Sequence, residues 1–348
     1  MPVVWSDDCR RHDPGGEIWV GVRTPGTEVP ERADAILEAL TDAGAPVVPA
    51  QRHPDDRLLQ VHDGALLEYL ETAWDAWLGA GLDRAPGQDR VVPYVFAHAG
   101  LTSGRPAAAP AAVWARPGAF TYDTMTLVGP GTWIAARAAA DAALTAVDLV
   151  LDGAPVAYAL CRPPGHHACR SCFGGSCYLN NAALAAAAFA AALDGPVAVL
   201  DVDAHHGNGT QELFYDRADV LVGSVHVDPG AGWFPHFLGF ADETGLGTNR
   251  NLPLVPGTGN AGWLAAVEEL THWAAGATAL VVALGVDAAG GDPEAPLEVT
   301  PAGFRAAGRR LGAMGLPTVV VQEGGYDLQT IGGLVTEALA GIEEGLHG

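Results

Sequence analysis

Short apolar runs rich in Val, Leu and Ala punctuate the chain at 147–151, 156–161, 197–202, 220–227, 279–286 and 318–322. Continuous apolar runs of this kind predict strands buried on both faces. Between most of them apolar positions return at helical spacing, which predicts helices over 130–146, 181–193, 262–275, 301–314 and 331–342. Thr300 followed by Pro301 has the pattern of an N-cap and a first-turn proline. The alanine run at 182–192 is a helix former, not a linker. Strand alternating with helix predicts an α/β fold, a mostly parallel sheet with helices on both faces. No break divides residues 1–348, which read as one domain. Residues 85–120 are dominated by Pro, Gly and Ala without a period, and predict a long irregular loop at the rim of a functional cleft.

Composition agrees with a large core: 49% of residues are hydrophobic and 17% charged. No apolar run reaches the roughly 18 residues of a membrane span, and the start lacks a basic segment ahead of an apolar one. A soluble cytoplasmic protein without membrane contact is therefore expected. The net charge of −23 argues against nucleic acid as a partner, because that affinity rests on Lys and Arg neutralising phosphates. The same charge attracts cations, or simply keeps the protein in solution. All 18 basic residues are arginine. Without lysine, Schiff-base chemistry, a pyridoxal-phosphate anchor and a P-loop are excluded. Five cysteines, at 9, 161, 169, 172 and 177, predict reduced thiols. Cys169-x2-Cys172-x4-Cys177 has a zinc-like spacing, but no second pair closes a four-ligand site.

Polar residues collect where the predicted strands end. One strand runs into Arg162-Pro163-Pro164-Gly165-His166-His167 and another into Asp201-Val202-Asp203-Ala204-His205-His206-Gly207-Asn208. Two more reach Asp287 and Glu323-Gly324-Gly325-Tyr326. In open α/β sheets ligands bind at these carboxyl ends. Asp201, Asp203 and His205 alternate, so as a continuing strand they share one face. Such a cluster, with Asp287 beside it, is costly to bury without a cation, and it suits zinc with positions left open. The His166-His167 pair is placed to accept and return a proton, and the Tyr326 phenol to polarise a carbonyl. Gly257-x-Gly259-x-x-Gly262 matches a dinucleotide fingerprint, but Pro253 and Pro256 precede it and no βα unit frames it. Ser176 lacks the second glycine of a nucleophile elbow.

From about Val61 onward these motifs resemble the zinc-dependent histone deacetylase superfamily, and within it the bacterial acetylpolyamine amidohydrolases. The resemblance is carried by His62-Asp63, Pro130-Gly131-Thr132-Trp133, Leu160 to Ala168, Asn180-Asn181, Leu200 to Thr210, Phe234 to Gly239, Leu284 to Asp287 and Glu323 to Tyr326, in that order. It implies an arginase/deacetylase-like fold and hydrolysis of an acetyl or related acyl amide on a small amine. It implies one zinc ion on Asp203, His205 and Asp287, with His166 against Asp201. His167, near Asn208, becomes general base and then acid, and Tyr326 the donor to the oxyanion. A potassium ion is implied at Asp201, Asp203, His205, Ser224 and Val225, and a homodimer by analogy with the polyamine enzymes. Asn208 carries no charge, so it orients His167 without raising its pKa as a carboxylate would.

Two departures bear on the substrate. The tunnel wall at Gly175-Ser176 has serine where the family has an aromatic residue, while Phe234 keeps an aromatic on the opposite wall. Polyamine-specific relatives carry acidic residues at the rim, yet 99–120 has no Asp or Glu and includes Arg105 and Arg116. A protein-lysine deacylase is therefore the alternative substrate reading. An arginase-like hydrolase would need a second metal and further carboxylates. A non-catalytic acyl-ligand binder is opposed by the intact His166, His167 and Tyr326.

Overall fold

The computed structural model describes residues 1–106, 108–294 and 296–348. Its strands are β1 (Val3–Trp5), β2 (Glu17–Trp19), β3 (Val22–Thr24), β4 (Val47–Pro49) and β5 (Val156–Ala159). They continue with β6 (Val197–Asp201), β7 (Val220–Val227), β8 (Asn249–Leu254), β9 (Ala279–Leu284) and β10 (Thr318–Gln322). Eight form one sheet in the order β4-β1-β5-β10-β9-β6-β7-β8, and every pairing in it is parallel. β2 and β3 make a separate antiparallel hairpin.

The central strands are buried along their whole length, as expected of a parallel sheet covered on both faces. On one side the helix Thr132–Leu151 packs against Asn181–Ala192. In the other group Glu31–Asp42 packs on Ile331–His347, which lies on Pro301–Gly312, which in turn meets Asn260–Trp273. Small residues permit the closest of these contacts. A Cβ on Gly308 would sit 2.2 Å from the Ala338 carbonyl oxygen, and one on Gly341 2.1 Å from that of Arg305. No helix among the described residues is long and apolar enough to cross a membrane.

Two sequence expectations need correction. Residues 147–151 are the last turns of the helix Thr132–Leu151, not a strand. Val147 and Val150 are buried there, but Asp148 and Asp152 keep the helical period running through the apolar run. Residues 85–120 also hold more order than a structureless loop: helical turns at Ala99–Thr102, Val113–Ala115 and Pro117–Phe120, and a bridge from Val91 to Val128. Gly118 passes so close to Val95 that no larger residue fits, a Cβ there meeting the Val95 oxygen at 1.6 Å.

Candidate active site

β6 ends at Asp201, so Asp203 and His205 lie beyond the strand, in the turns that follow it. Their common orientation comes from side chains folding back on the backbone, not from strand alternation. The Asp203 N–H donates to Asp201 Oδ1 at 3.1 Å, and the His205 N–H to Asp203 Oδ1 at 2.9 Å. Asp287 follows β9 and accepts from the Ala204 N–H at 2.9 Å, stitching the two strand ends together. The result brings Asp203, His205 and Asp287 into one buried cluster, with ligand atoms within 4.8 Å of one another. His205 Nδ1 is 3.0 Å from Asp287 Oδ2 and 3.5 Å from Asp203 Oδ1.

The electrostatics of this cluster suit a divalent cation. Burial and the neighbouring Asp203 charge push the Asp287 carboxyl up to about 7. Burial opposes charge on His205, but its contacts with Asp203 and Asp287 win and raise it well above the usual imidazole range. Two carboxylates and an imidazole turned on one point, buried and mutually strained in charge, are a donor set that zinc fits.

The histidine pair sits beside them, ring centroids 3.9 Å apart. His166 Nδ1 is 2.9 Å from Asp201 Oδ2, and His167 Nδ1 is 2.7 Å from Asn208 Oδ1. The two differ in charge. Burial disfavours the His166 cation, yet Asp203 and Asp201 outweigh it and bring its pKa to about 10. Burial, with His166 and His205 as cationic neighbours, drives His167 well below the usual range and leaves it neutral. The uncharged Asn208 does little to oppose this. The backbone of the pair is fixed by Glu323, whose Oε2 accepts from the N–H groups of Gly165 at 2.6 Å and His166 at 3.1 Å. The Tyr122 hydroxyl donates to the His167 carbonyl at 2.9 Å.

Tyr326 leaves β10 through Gly324-Gly325, where Gly325 takes φ = 121°, a conformation that favours glycine. The fully buried Arg32 holds this turn. Its guanidinium donates to the carbonyls of Gly325 at 2.5 Å and Glu323 at 2.7 Å, and lies 4.6 Å from the centre of the Tyr326 ring. Glu28 pairs with Arg32 at 2.9 Å and with the equally buried Arg162 at 2.9 Å. Asp292 accepts from the Tyr326 N–H at 2.7 Å. Burial raises the Tyr326 phenol well above its usual range, so it remains a neutral donor.

These groups open into a cavity of about 420 Å³ lined by His167, His205, Tyr326, Gly175, Ser176 and Phe234, together with Glu17, Trp19, Met125 and Glu294. Phe234 meets the His167 ring edge-on at 4.8 Å. Gly175 closes the other side, with φ = 58°, and a Cβ there would lie 2.4 Å from His167 Cδ2. Gly175→Ala should therefore displace His167 and cost about 10²-fold in turnover, with metal content unchanged. Steady-state kinetics beside metal analysis checks this, and unimpaired turnover would mean the imidazole has room to spare.

Among the described residues of 85–120 none lines this cavity, and Phe96 lines the adjoining apolar pocket together with Asn208 and Phe234. The acidic residues absent from that segment come from elsewhere, Glu17 on β2 and Glu294 after β9. Sequence reading did not single out either, nor Arg32, Glu28 or the hold of Glu323 on the histidines. The one available signal was Glu28 and Arg32 four residues apart, a helical ion-pair spacing. Ser224 and Val225, buried on β7, lie beside the end of β6, with Asp201 in register with Ser224.

Carboxylates, imidazoles and a phenol gathered at the carboxyl edge of a parallel sheet are a set that can activate water and polarise a carbonyl, the chemistry of an amide hydrolase. The histone deacetylase domain profile matches residues 26–342, and the chain belongs to that family. It is 40% identical over 349 residues to the acetylpolyamine amidohydrolase of Mycoplana ramosa, covering 98% of this chain and 99% of the relative. The Burkholderia pseudomallei acetylpolyamine amidohydrolase is 43% identical over 343 residues, covering 95% of each. A crystal structure of acetylpolyamine aminohydrolase from Burkholderia pseudomallei superposes with a TM-score of 0.92 at 38% identity, covering 99% of both chains.

Proposed function

We propose that this deacetylase hydrolyses the acetyl amide of small acetylated polyamines, with one zinc ion held by Asp203, His205 and Asp287. The observation that carries the substrate class is the presence of Glu17 and Glu294 in the cavity that holds His167, His205 and Tyr326. A substrate with its acetyl group at the buried end would bring its remote ammonium groups toward these carboxylates. Burial and the Glu294 charge push Glu17 up to about 7.

When bound, zinc would supply Lewis-acid chemistry to the amide carbonyl and the attacking water. Neutral His167 accepts the proton of that water and returns it to the departing nitrogen. His166, held cationic by Asp201, keeps positive charge beside the reacting centre. The Tyr326 hydroxyl donates to the carbonyl oxygen as negative charge develops there. Phe234, Gly175 and Ser176 flank the chain between acetyl group and ammonium; serine in place of an aromatic residue widens this passage. The same reading places potassium at Asp201, Asp203, His205, Ser224 and Val225, where buried carboxylates surround the end of β6.

The test is turnover of acetylputrescine, acetylspermidine and an acetyl-lysine peptide by zinc-supplied protein. The acetylpolyamines should give the highest kcat/KM. Glu17→Gln and Glu294→Gln should each raise their KM roughly fivefold, ~1 kcal/mol, with kcat unchanged. Because Glu17 is neutral below its raised pKa and charged above it, KM should fall as pH rises through about 7. Preference for the peptide, or for a neutral acetylated amine of equal length, would refute the substrate assignment.

A further inference from the structure

The segment that follows the histidine pair carries two thiols that the proposed reaction does not use. Cys169 and Cys172 bracket a tight turn, in which the Cys169 N–H donates to the Cys172 carbonyl at 2.8 Å. Both are free thiols, and this backbone bond holds the two residues against each other across the turn. The turn is anchored from outside. His62 Nδ1 is 2.9 Å from the Cys169 carbonyl, the Arg170 N–H donates to Glu212 at 3.0 Å, and the Asp63 N–H donates to the Arg170 carbonyl at 2.9 Å.

The two cysteines face different surroundings. Cys172 is half-buried, whereas Cys169 is buried and points its sulfur at the machinery of proton transfer. Its Sγ lies 3.7 Å from the His167 carbonyl oxygen and 4.0 Å from Asn208 Nδ2. Cys169 also lines a pocket of about 570 Å³ beside Tyr122, Asn208 and Phe234, while the half-buried Cys172 is the thiol that a small oxidant meets first. Among the described residues, the two clusters with metal-ligand spacing include neither thiol. A metal clip is therefore not what brings them together.

We propose that Cys169 and Cys172 form a site of reversible thiol oxidation, in which a disulfide between them loosens the hold on His167 and lowers turnover. The oxidant class is a hydroperoxide. The Cys172 sulfur attacks one peroxide oxygen, the O–O bond breaks, and water leaves behind a sulfenic acid. The Cys169 sulfur then attacks Cys172, the S–O bond breaks, and a second water departs with the thiol proton. Two thiols and one hydrogen peroxide become one disulfide and two waters. Cys172 acts first because it is the more exposed of the two thiols, whereas Cys169 is buried. Oxidation takes the S–H donor of Cys169 from the His167 carbonyl and draws the sulfur toward Cys172, away from Asn208. The proposed zinc ligands are carboxylates and an imidazole, so peroxide has no ligand thiolate to attack.

The experiment treats zinc-loaded wild-type protein and Cys172→Ser with hydrogen peroxide, then with dithiothreitol. Turnover, zinc content and a peptide map of thiols are followed together. Wild type should lose about tenfold in turnover, the scale of a small misplacement of a catalytic group. It should keep its zinc, show a Cys169–Cys172 bond, and recover with reductant. Cys172→Ser should match reduced wild type before oxidation and keep its activity afterwards. The proposal is overturned if the inactivated wild type has both thiols free, if the bond forms with turnover unchanged, or if Cys172→Ser is inactivated equally. The peptide map needs no substrate, and turnover can be read on any acetylated amide the enzyme cleaves, so the outcome is separable from the polyamine assignment.

Discussion

Tyr326→Phe should lower turnover about 10²–10³-fold while the protein stays folded and retains its metal, if the phenol is the donor to the developing oxyanion. The anchors of this residue explain why the loss should be confined to chemistry. Arg32 grips the carbonyls on either side of Gly324 and covers the aromatic ring, and Asp292 takes the Tyr326 N–H. None of these contacts involves the hydroxyl. Removing it therefore leaves the turn as it was and takes away only a neutral donor facing the cavity. Thermal denaturation and metal analysis establish that the variant is intact, and kcat then reports the missing bond. Near-normal turnover in an intact, metal-loaded variant would remove Tyr326 from the mechanism.

Removing the proposed zinc ion should abolish activity, and the stability it confers should grow with pH. Asp287, brought to about 7, and His205, raised well above its usual range, both hold protons that the metal must displace. Groups raised in this way contribute stability below their unfolded pKa and lose it as pH rises through the folded value. The proposed zinc ion would take over as the neutralising cation where the protons leave. At free zinc about 1,000 times Kd the gain is about 4 kcal/mol. Comparing zinc-loaded with chelated protein cancels the other titrating groups. The difference in Tm should be small at pH 5.5 and several degrees larger at pH 8. Equal differences at both values would place the stabilising ion away from these ligands.

What the sequence made legible follows physical rules of different reach. The long apolar runs at 197–201, 220–227, 279–284 and 318–322 became strands because nothing competes with burial on both faces. β1 and β4, with three residues each, are too short to show a period, and β8, Asn249–Leu254, carries asparagines and a proline within it. The run 147–151 misled because an apolar stretch of five reads equally as strand or as one turn of a buried helix. The strand-end residues were visible because each follows its strand directly in sequence. Glu17, Glu294 and Arg32 were not, since single charged residues far apart in the chain carry no local sign that folding will bring them to one cavity.

The position of β10 has a consequence for how the molecule comes into being. This strand, the last of the sheet in sequence, lies at its centre, between β5 and β9. Until it is made, the strands synthesised early and those synthesised midway have no shared edge, and each presents an open flank. A ribosome-bound chain halted before residue 318 would expose two sticky borders and invite mispairing. The tyrosine-bearing turn arrives on the heels of that keystone. The full set of reacting side chains is therefore present only in a chain long enough to fill the gap in its own sheet.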